Sequence, residues 1–187
     1  MANSGAIIAA TVAETGASIY SAPLGTTLPT DATSVLANTW VDLGWVGESG
    51  VTNSMKRNTT KHRSWGGTVV KVTQDSYEET LKFSLLESSS DALKVTFGAD
   101  NVTENGDGSF SVEHSHLQLE RQSFVIDFVD GARQGRIVIK EGQVTEVGDA
   151  KYVHKDLLSW DLTVDTFIPD SDTSAVVQYF SAESGGS

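Results

Sequence analysis

The sequence predicts a mainly β fold, an antiparallel β-sandwich or barrel with one flanking α-helix. Three observations point there. Apolar and polar residues alternate along most of the apolar segments, Gly-containing turn signals separate those segments, and a single stretch repeats its apolar residues at helical spacing. The alternation marks strands at 81–85, 124–128, 136–140 and, longest of all, 158–168. In the last, Leu158, Trp160, Leu162 and Val164 share one face, while Ser159, Asp161, Thr163 and Asp165 share the other. Shorter segments at 7–11, 17–21, 39–46, 68–73 and 176–180 read as further strands.

The turns follow from residues that tolerate positive φ. Asn105-Gly106-Asp107-Gly108 is a hairpin signal, and Asp130-Gly131 and Glu141-Gly142 mark further turns. Residues 23–29, with Pro at both ends and Gly25 between, read as an irregular loop. The helix spans about 89–97. Ser88-x-x-Asp91 resembles a capping box with Asp in place of Glu, and Asp91 suits the positive end of the helix dipole. Ala92, Leu93, Thr96 and Phe97 repeat at helical spacing, and Gly98 stops the run. This helix is expected to cover one open sheet face.

At 187 residues and 20.0 kDa, the chain reads as one domain over 1–187, with a flexible tail at 184–187. It contains no cysteine, which excludes a disulfide scaffold, thiolate catalysis and thiolate metal sites. Residues 1–10 carry no Lys or Arg and too short an apolar stretch for a signal peptide, and no apolar run is long enough to span a bilayer. The expectation is a soluble protein made in the cytoplasm, without membrane partners.

Thirteen basic and 25 acidic side chains give a formal charge of −12. Residues 1–55 and 156–187 hold no Lys or Arg, whereas Lys56, Arg57, Lys61 and Arg63 fall within eight residues. A balance of this sign excludes gripping nucleic acid by phosphate neutralisation. It remains compatible with letting nucleic acid pass without sticking.

Each chemical motif has a plainer reading. His114-Ser115-His116 on a strand would point both imidazoles to one face, and with Gly108 and Glu120 it approximates the first cupin metal motif. The pattern requires Gly where this chain has Asp127, and the second cupin motif has no counterpart. Short motifs of this kind often match by chance, so the preferred reading is a pair of surface strand histidines, with no metal and no cofactor. His62 and His154 lack a nucleophile pattern, there is no Gly-x-Ser-x-Gly elbow, and Gly66-Gly67 reads as a bulge or turn. Asp161 and Asp165 have the residue types of a glycosidase pair, but the preferred reading is a solvated acidic face. No catalytic constellation emerges.

The segment 48–67 is the informative oddity. It carries Glu48, Lys56, Arg57, Lys61, Arg63 and Trp65, with polar Asn58-Thr59-Thr60 in its middle. A basic arm on an acidic body suggests docking onto another copy, and a merely solvated hairpin is its alternative.

Trp40-Val41-Asp42-Leu43-Gly44-Trp45-Val46-Gly47-Glu48-Ser49-Gly50-Val51-Thr52 is followed by Lys61-His62-Arg63-Ser64-Trp65-Gly66-Gly67, a strand over 77–86, the capped helix ending Phe97-Gly98, and a final strand pair around Trp160. Over about 17–168 this order resembles the major tail tube proteins of long-tailed, non-contractile bacteriophages (siphophages), particularly those infecting actinobacteria. The resemblance implies a structural virion protein, assembled in the host cytoplasm, that forms hexameric rings stacked into a tube around a tape-measure protein. Terminator and distal tail proteins would be further partners, and phage DNA would pass through the tube into the host. It also implies that a long loop between early strands reaches the neighbouring ring, and 48–67 occupies that position.

Physical size agrees with such a conduit. A 187-residue domain is ~40 Å across, so six in a ring leave a hole about one body wide. An acidic lumen would let duplex DNA slide where a basic one would hold it. The lumen-facing candidates are Asp161, Thr163 and Asp165. The rivals are a related secretion-system tube, a binding module or phage decoration protein with a platform drawn from Trp40, Trp45 and Trp65, and a cupin-like metal protein on His114, His116 and Glu120.

Overall fold

Residues 8–11 and 18–182 are described by a computed structural model. Their alternating segments pair into antiparallel strands: β1 (Ile19–Pro23), β2 (Val41–Asp42), β3 (Val46–Arg63), β4 (Val69–Leu85), β5 (Val102–Glu104), β6 (Phe110–Val112), β7 (Gln122–Asp130), β8 (Arg133–Val147), β9 (Trp160–Phe167) and β10 (Val176–Phe180). One sheet runs β2-β1-β7-β8-β9-β4-β3, with β10 also on β8, while β5 and β6 form a separate hairpin. The helix α1 is Ser90–Phe97.

Strand β8 joins the two halves of the sheet. Its first half lies between β7 and β10, where Ile137 pairs with both Ile126 and Gln178. Its second half pairs with β9, from Glu141 opposite Phe167 to Val147 opposite Leu162. The expected turn at Glu141-Gly142 is therefore absent, and both residues sit inside β8. The glycine serves packing instead. A Cβ at Gly142 would stand 2.8 Å from Val164 and 2.9 Å from Phe124, so only a bare Cα admits both side chains.

Two apolar clusters hold the sheet. The larger gathers Leu81, Phe83 and Leu85 of β4, Leu162 and Val164 of β9, and Phe124 and Ile126 of β7 beneath Ala92, Leu93 and Val95 of α1. The smaller, on the opposite face of β1–β7–β8, packs Ala22, Val125 and Val138 against Trp40. Alternate residues of β7 thus enter different clusters, and residues 123–126 are buried on both faces.

The helix ends obey their residues. Ser89, not Ser88, is the N-cap, its Oγ accepting from the Ala92 N–H at 3.3 Å, with Asp91 in the first turn. Ser88 instead accepts from the Trp160 Nε1–H at 3.1 Å. Gly98 closes the helix at φ +98°, donating its N–H to the Lys94 carbonyl oxygen. The turn 105–108 links β5 to β6, with Gly108 at φ +85°, and Asp130-Gly131 turns β7 into β8.

Several boundaries differ from expectation. The segments 68–73 and 81–85 are one strand, β4. The segment 39–46 divides into β2 and the start of β3, separated at Gly44 (φ +82°), against which the Glu87 carboxylate packs. Of 7–11, residue 7 lies outside the described residues, 8–10 form no strand, and Thr11 makes an isolated bridge to Val129. Ala17 and the tail 184–187 also lie outside the described residues.

Candidate assembly surfaces

The basic segment is one strand of a long ribbon. Strand β9 accompanies β4 only as far as Thr80, opposite Asp165. Beyond that point residues 55–63 and 69–79 pair only with each other. Nine residues of β3 carry the ribbon about 30 Å from the sheet. The arm therefore includes the distal half of β4, which the expected range 48–67 omitted. At its tip the Ser64 N–H donates to the Thr68 carbonyl oxygen at 2.8 Å, Gly67 turns at φ +85°, and Arg63 Nη1 donates to the Gly67 carbonyl oxygen at 2.8 Å. Trp65 is fully exposed there.

Register assigns the arm two faces of different character. Strand β3 alternates strictly from Val51 to Arg63, while Val70 and Asp75 are extra residues in β4. One face continues the core side of the sheet through the pairs Arg57–Tyr77, Lys61–Val72 and Arg63–Val69. It holds three cations, and its only carboxylate is Glu79 at the root. The other face satisfies itself: Lys56 lies 3.8 Å from Glu78, Asn58 donates to Ser76 at 2.8 Å, and Thr60 donates to Asp75 at 2.6 Å. His62 Nε2 is 3.0 Å from the Thr73 hydroxyl on that face.

The root is polar but organised. Buried Glu79 accepts from Asn53 Nδ2 at 2.9 Å and from the Tyr77 hydroxyl at 2.7 Å, and the latter bond pushes the Tyr77 phenol up. Arg57 stands over the Tyr77 ring, 4.8 Å from its centroid. Glu48 is exposed in the irregular start of β3, apart from the cations.

The second surface is the outward face of β8–β9–β4. Asp161 pairs with Ser84, Thr163 with Lys82 and Glu146, and Asp165 with Thr80 and Gln143. Asp161 accepts from the Ser84 hydroxyl, and Thr163 donates to Glu146 at 3.3 Å. Trp160, Leu162 and Val164 point the other way and are buried. The face thus sets Asp161, Asp165 and Glu146 against Lys82 alone. Four strand positions separate Asp161 from Asp165, roughly 13 Å, beyond the spacing of a glycosidase carboxyl pair.

The other motifs do not come together as sites. Strand β6 ends at Val112, so His114 and His116 lie outside any strand and lose the shared face expected of them. The His114 ring stacks on Phe97 at 4.6 Å. Among the described residues no group of three or more His, Cys, Asp or Glu is placed to hold a metal ion. Trp40 is buried, Trp45 stands beside Leu86 at the body end of β3 and Trp65 at the arm tip, so the three form no platform. One cluster went unforeseen: Asp127 binds Arg136 across β7 and β8. Each is a charged residue within an alternating apolar segment, and that exception was the available signal.

The family model described as phage tail tube protein matches residues 1–184. No protein with a curated description matches. Among solved structures, the chain is similar to the tube-terminating cap of an anti-feeding prophage, with a TM-score of 0.48 and 10% identity over 97% of this chain and 100% of that one. It is also similar to a chain of an extracellular contractile injection system sheath–tube complex (0.45, 8% identity, 86% and 87% covered). A third is in the virion of a native gene transfer agent (0.42, 11% identity, 92% and 100% covered). The family match spans nearly the whole sequence, and on that match the chain belongs to the phage tail tube protein family, a family of structural tail proteins.

Proposed function

We propose that this chain is the repeating subunit of a hollow tail tube in a non-contractile phage. Copies close into hexameric rings, the rings stack through the arm around a tape-measure protein, and terminator and distal tail proteins close the ends. DNA then passes along the acidic face bearing Asp161, Thr163 and Asp165. The role is structural, not enzymatic.

The observation that carries this reading is the ribbon. A two-stranded hairpin standing about 30 Å from its sheet is marginal in water, and this one leaves Met55, Trp65, Val69, Val70 and Val72 exposed along its length. Both features make sense once the arm lies against a neighbour. A body of this length is ~40 Å across, so the arm can span most of an adjacent subunit. The acidic face fits passage of a duplex that carries a charge every ~1.7 Å and would be held by cations.

Negative-stain electron microscopy over a concentration series tests the reading. Hollow rings or tubes are expected. Protein that remains monomeric at every concentration, even when seeded with tail tips from disrupted virions, overturns it.

A further inference from the structure

The arm needs an acceptor, and the surface carries one of matching chemistry. A groove of about 560 Å³ opens between the end of β1 and α1, with Leu24, Val41, Val95 and Ala99 in its walls and Glu120 on its rim. It continues along α1 into a hollow of about 380 Å³ that adds Asp100. The two cations in its lining are already engaged: Lys94 lies 2.6 Å from Glu104 and 3.4 Å from Asp91, and Arg121 lies 3.2 Å from Glu141. Asp100 and Glu120 make no ion pair among the described residues. The groove therefore combines an apolar lining with two carboxylates, Glu120 and Asp100, that no ion pair among the described residues satisfies.

The arm tip is its complement: an exposed Trp65 beside Arg63 and Lys61, both on the face without distal carboxylates. We infer that the groove between β1 and α1 receives the arm tip of a second copy, with Trp65 on the apolar lining and Arg63 and Lys61 against Glu120 and Asp100. The inference rests on the tube reading and gives the arm its address. The volume lies within the usual range of binding pockets and suits a side chain that buries about 150–250 Å². The donor is another copy because the tip stands about 30 Å from its own sheet. The rival surface, around exposed Tyr152, Val153 and Leu157, balances Lys151 and Lys155 with Asp149 and Asp156 and so offers the cationic tip no net attraction.

The chain has no cysteine, so introduced thiols report contacts cleanly. Gly66→Cys sits beside Trp65 in open space, and Ala99→Cys sits in the groove. The two single variants are co-assembled and treated with a short bis-maleimide, with Leu157→Cys replacing Ala99→Cys as the comparison. A covalent dimer from the Gly66–Ala99 pair in tubes, absent from dissociated protein and from the Leu157 pair, is the expected result. Tubes that form without that dimer overturn the groove while leaving the tube reading intact. Failure of the parent protein to form tubes overturns both.

A charge exchange reads the same contact without cross-linking. Asp100→Lys with Glu120→Lys should raise the concentration needed for assembly at least tenfold at unchanged thermal midpoint. Adding Lys61→Glu with Arg63→Glu should recover most of that loss. No rise, or no recovery, counts against the groove.

Discussion

Arg136 grips Asp127 with two parallel hydrogen bonds, Nε to Oδ1 at 2.7 Å and Nη2 to Oδ2 at 2.8 Å. The remaining nitrogen, Nη1, donates to the Ser34 carbonyl oxygen at 2.8 Å and to that of Asp31 at 3.3 Å. One ion pair on β7 and β8 therefore ties the loop over Trp40 to the sheet. Asp127→Ala leaves the buried guanidinium without its counter-charge and should cost about 3–5 kcal/mol in urea unfolding. Arg136→Met removes the charge while keeping most of the volume and should cost less. Equal losses would mean that the pair contributes packing alone.

The same loop gives the stability a pH dependence. The backbone N–H groups of Ser34 and Thr33 hold the Asp31 carboxyl below its ordinary range. Ser109 does the same for Asp107, Lys94 for Glu104 and Lys140 for Asp172. A carboxyl depressed in the folded state contributes stability above its unfolded value, and that contribution is lost as pH falls through the folded one. The thermal midpoint should therefore be level through pH 5 and fall below about pH 4. Asp31→Asn should flatten part of that fall, and an unaltered slope would remove Asp31 from the account.

Sequence pattern reveals strands most directly where burial is one-sided. At 124–126 of β7 the strand was legible, but its expected solvated side is buried in a second cluster. The segment 158–168 announced β9 because Trp160, Leu162 and Val164 are buried while Asp161 is wet. Residues 74–78 of β4 include no fully buried side chain and Tyr77 is the lone aromatic among them, so no apolar alternation exists to mark them as strand. Their order comes from the ladder with β3. Gly142 read as a turn because a glycine needed for close packing looks the same in sequence as one needed for positive φ. The acidic face was legible along a single strand. The Arg136–Asp127 pair required register, and the α1 groove draws on residues 24, 41, 95, 99 and 120, which no local pattern connects.

Face matters on the arm. Arg57→Glu with Arg63→Glu reverses two charges on the face that lacks distal carboxylates. Tube formation should weaken at least tenfold, while monomer stability changes by only about 1 kcal/mol, as for other exposed positions. Lys71→Glu lies opposite His62 on the other face and should have a much smaller effect. Added salt should weaken the parent's stacking in the same direction, since screened charges attract less. A loss of folding without a change in assembly, or equal effects from the two faces, would contradict a face-specific arm.

The acidic face yields the sharpest functional expectation. Asp161 and Asp165 flank Thr163 on a surface whose only cation among its paired neighbours is Lys82. Asp161→Lys with Asp165→Lys leaves the buried side of β9 untouched, so unfolding should shift by only about 1 kcal/mol. Each subunit nevertheless gains four units of positive charge where DNA is proposed to pass. Tubes built from the double variant should retain duplex DNA at low salt and slow its ejection, with the delay relieved as salt rises, because phosphate contacts weaken steeply with ionic strength. Ejection rates from virions carrying the variant, measured across a salt series, decide the matter. Parental ejection at low salt would place these carboxylates outside the lumen.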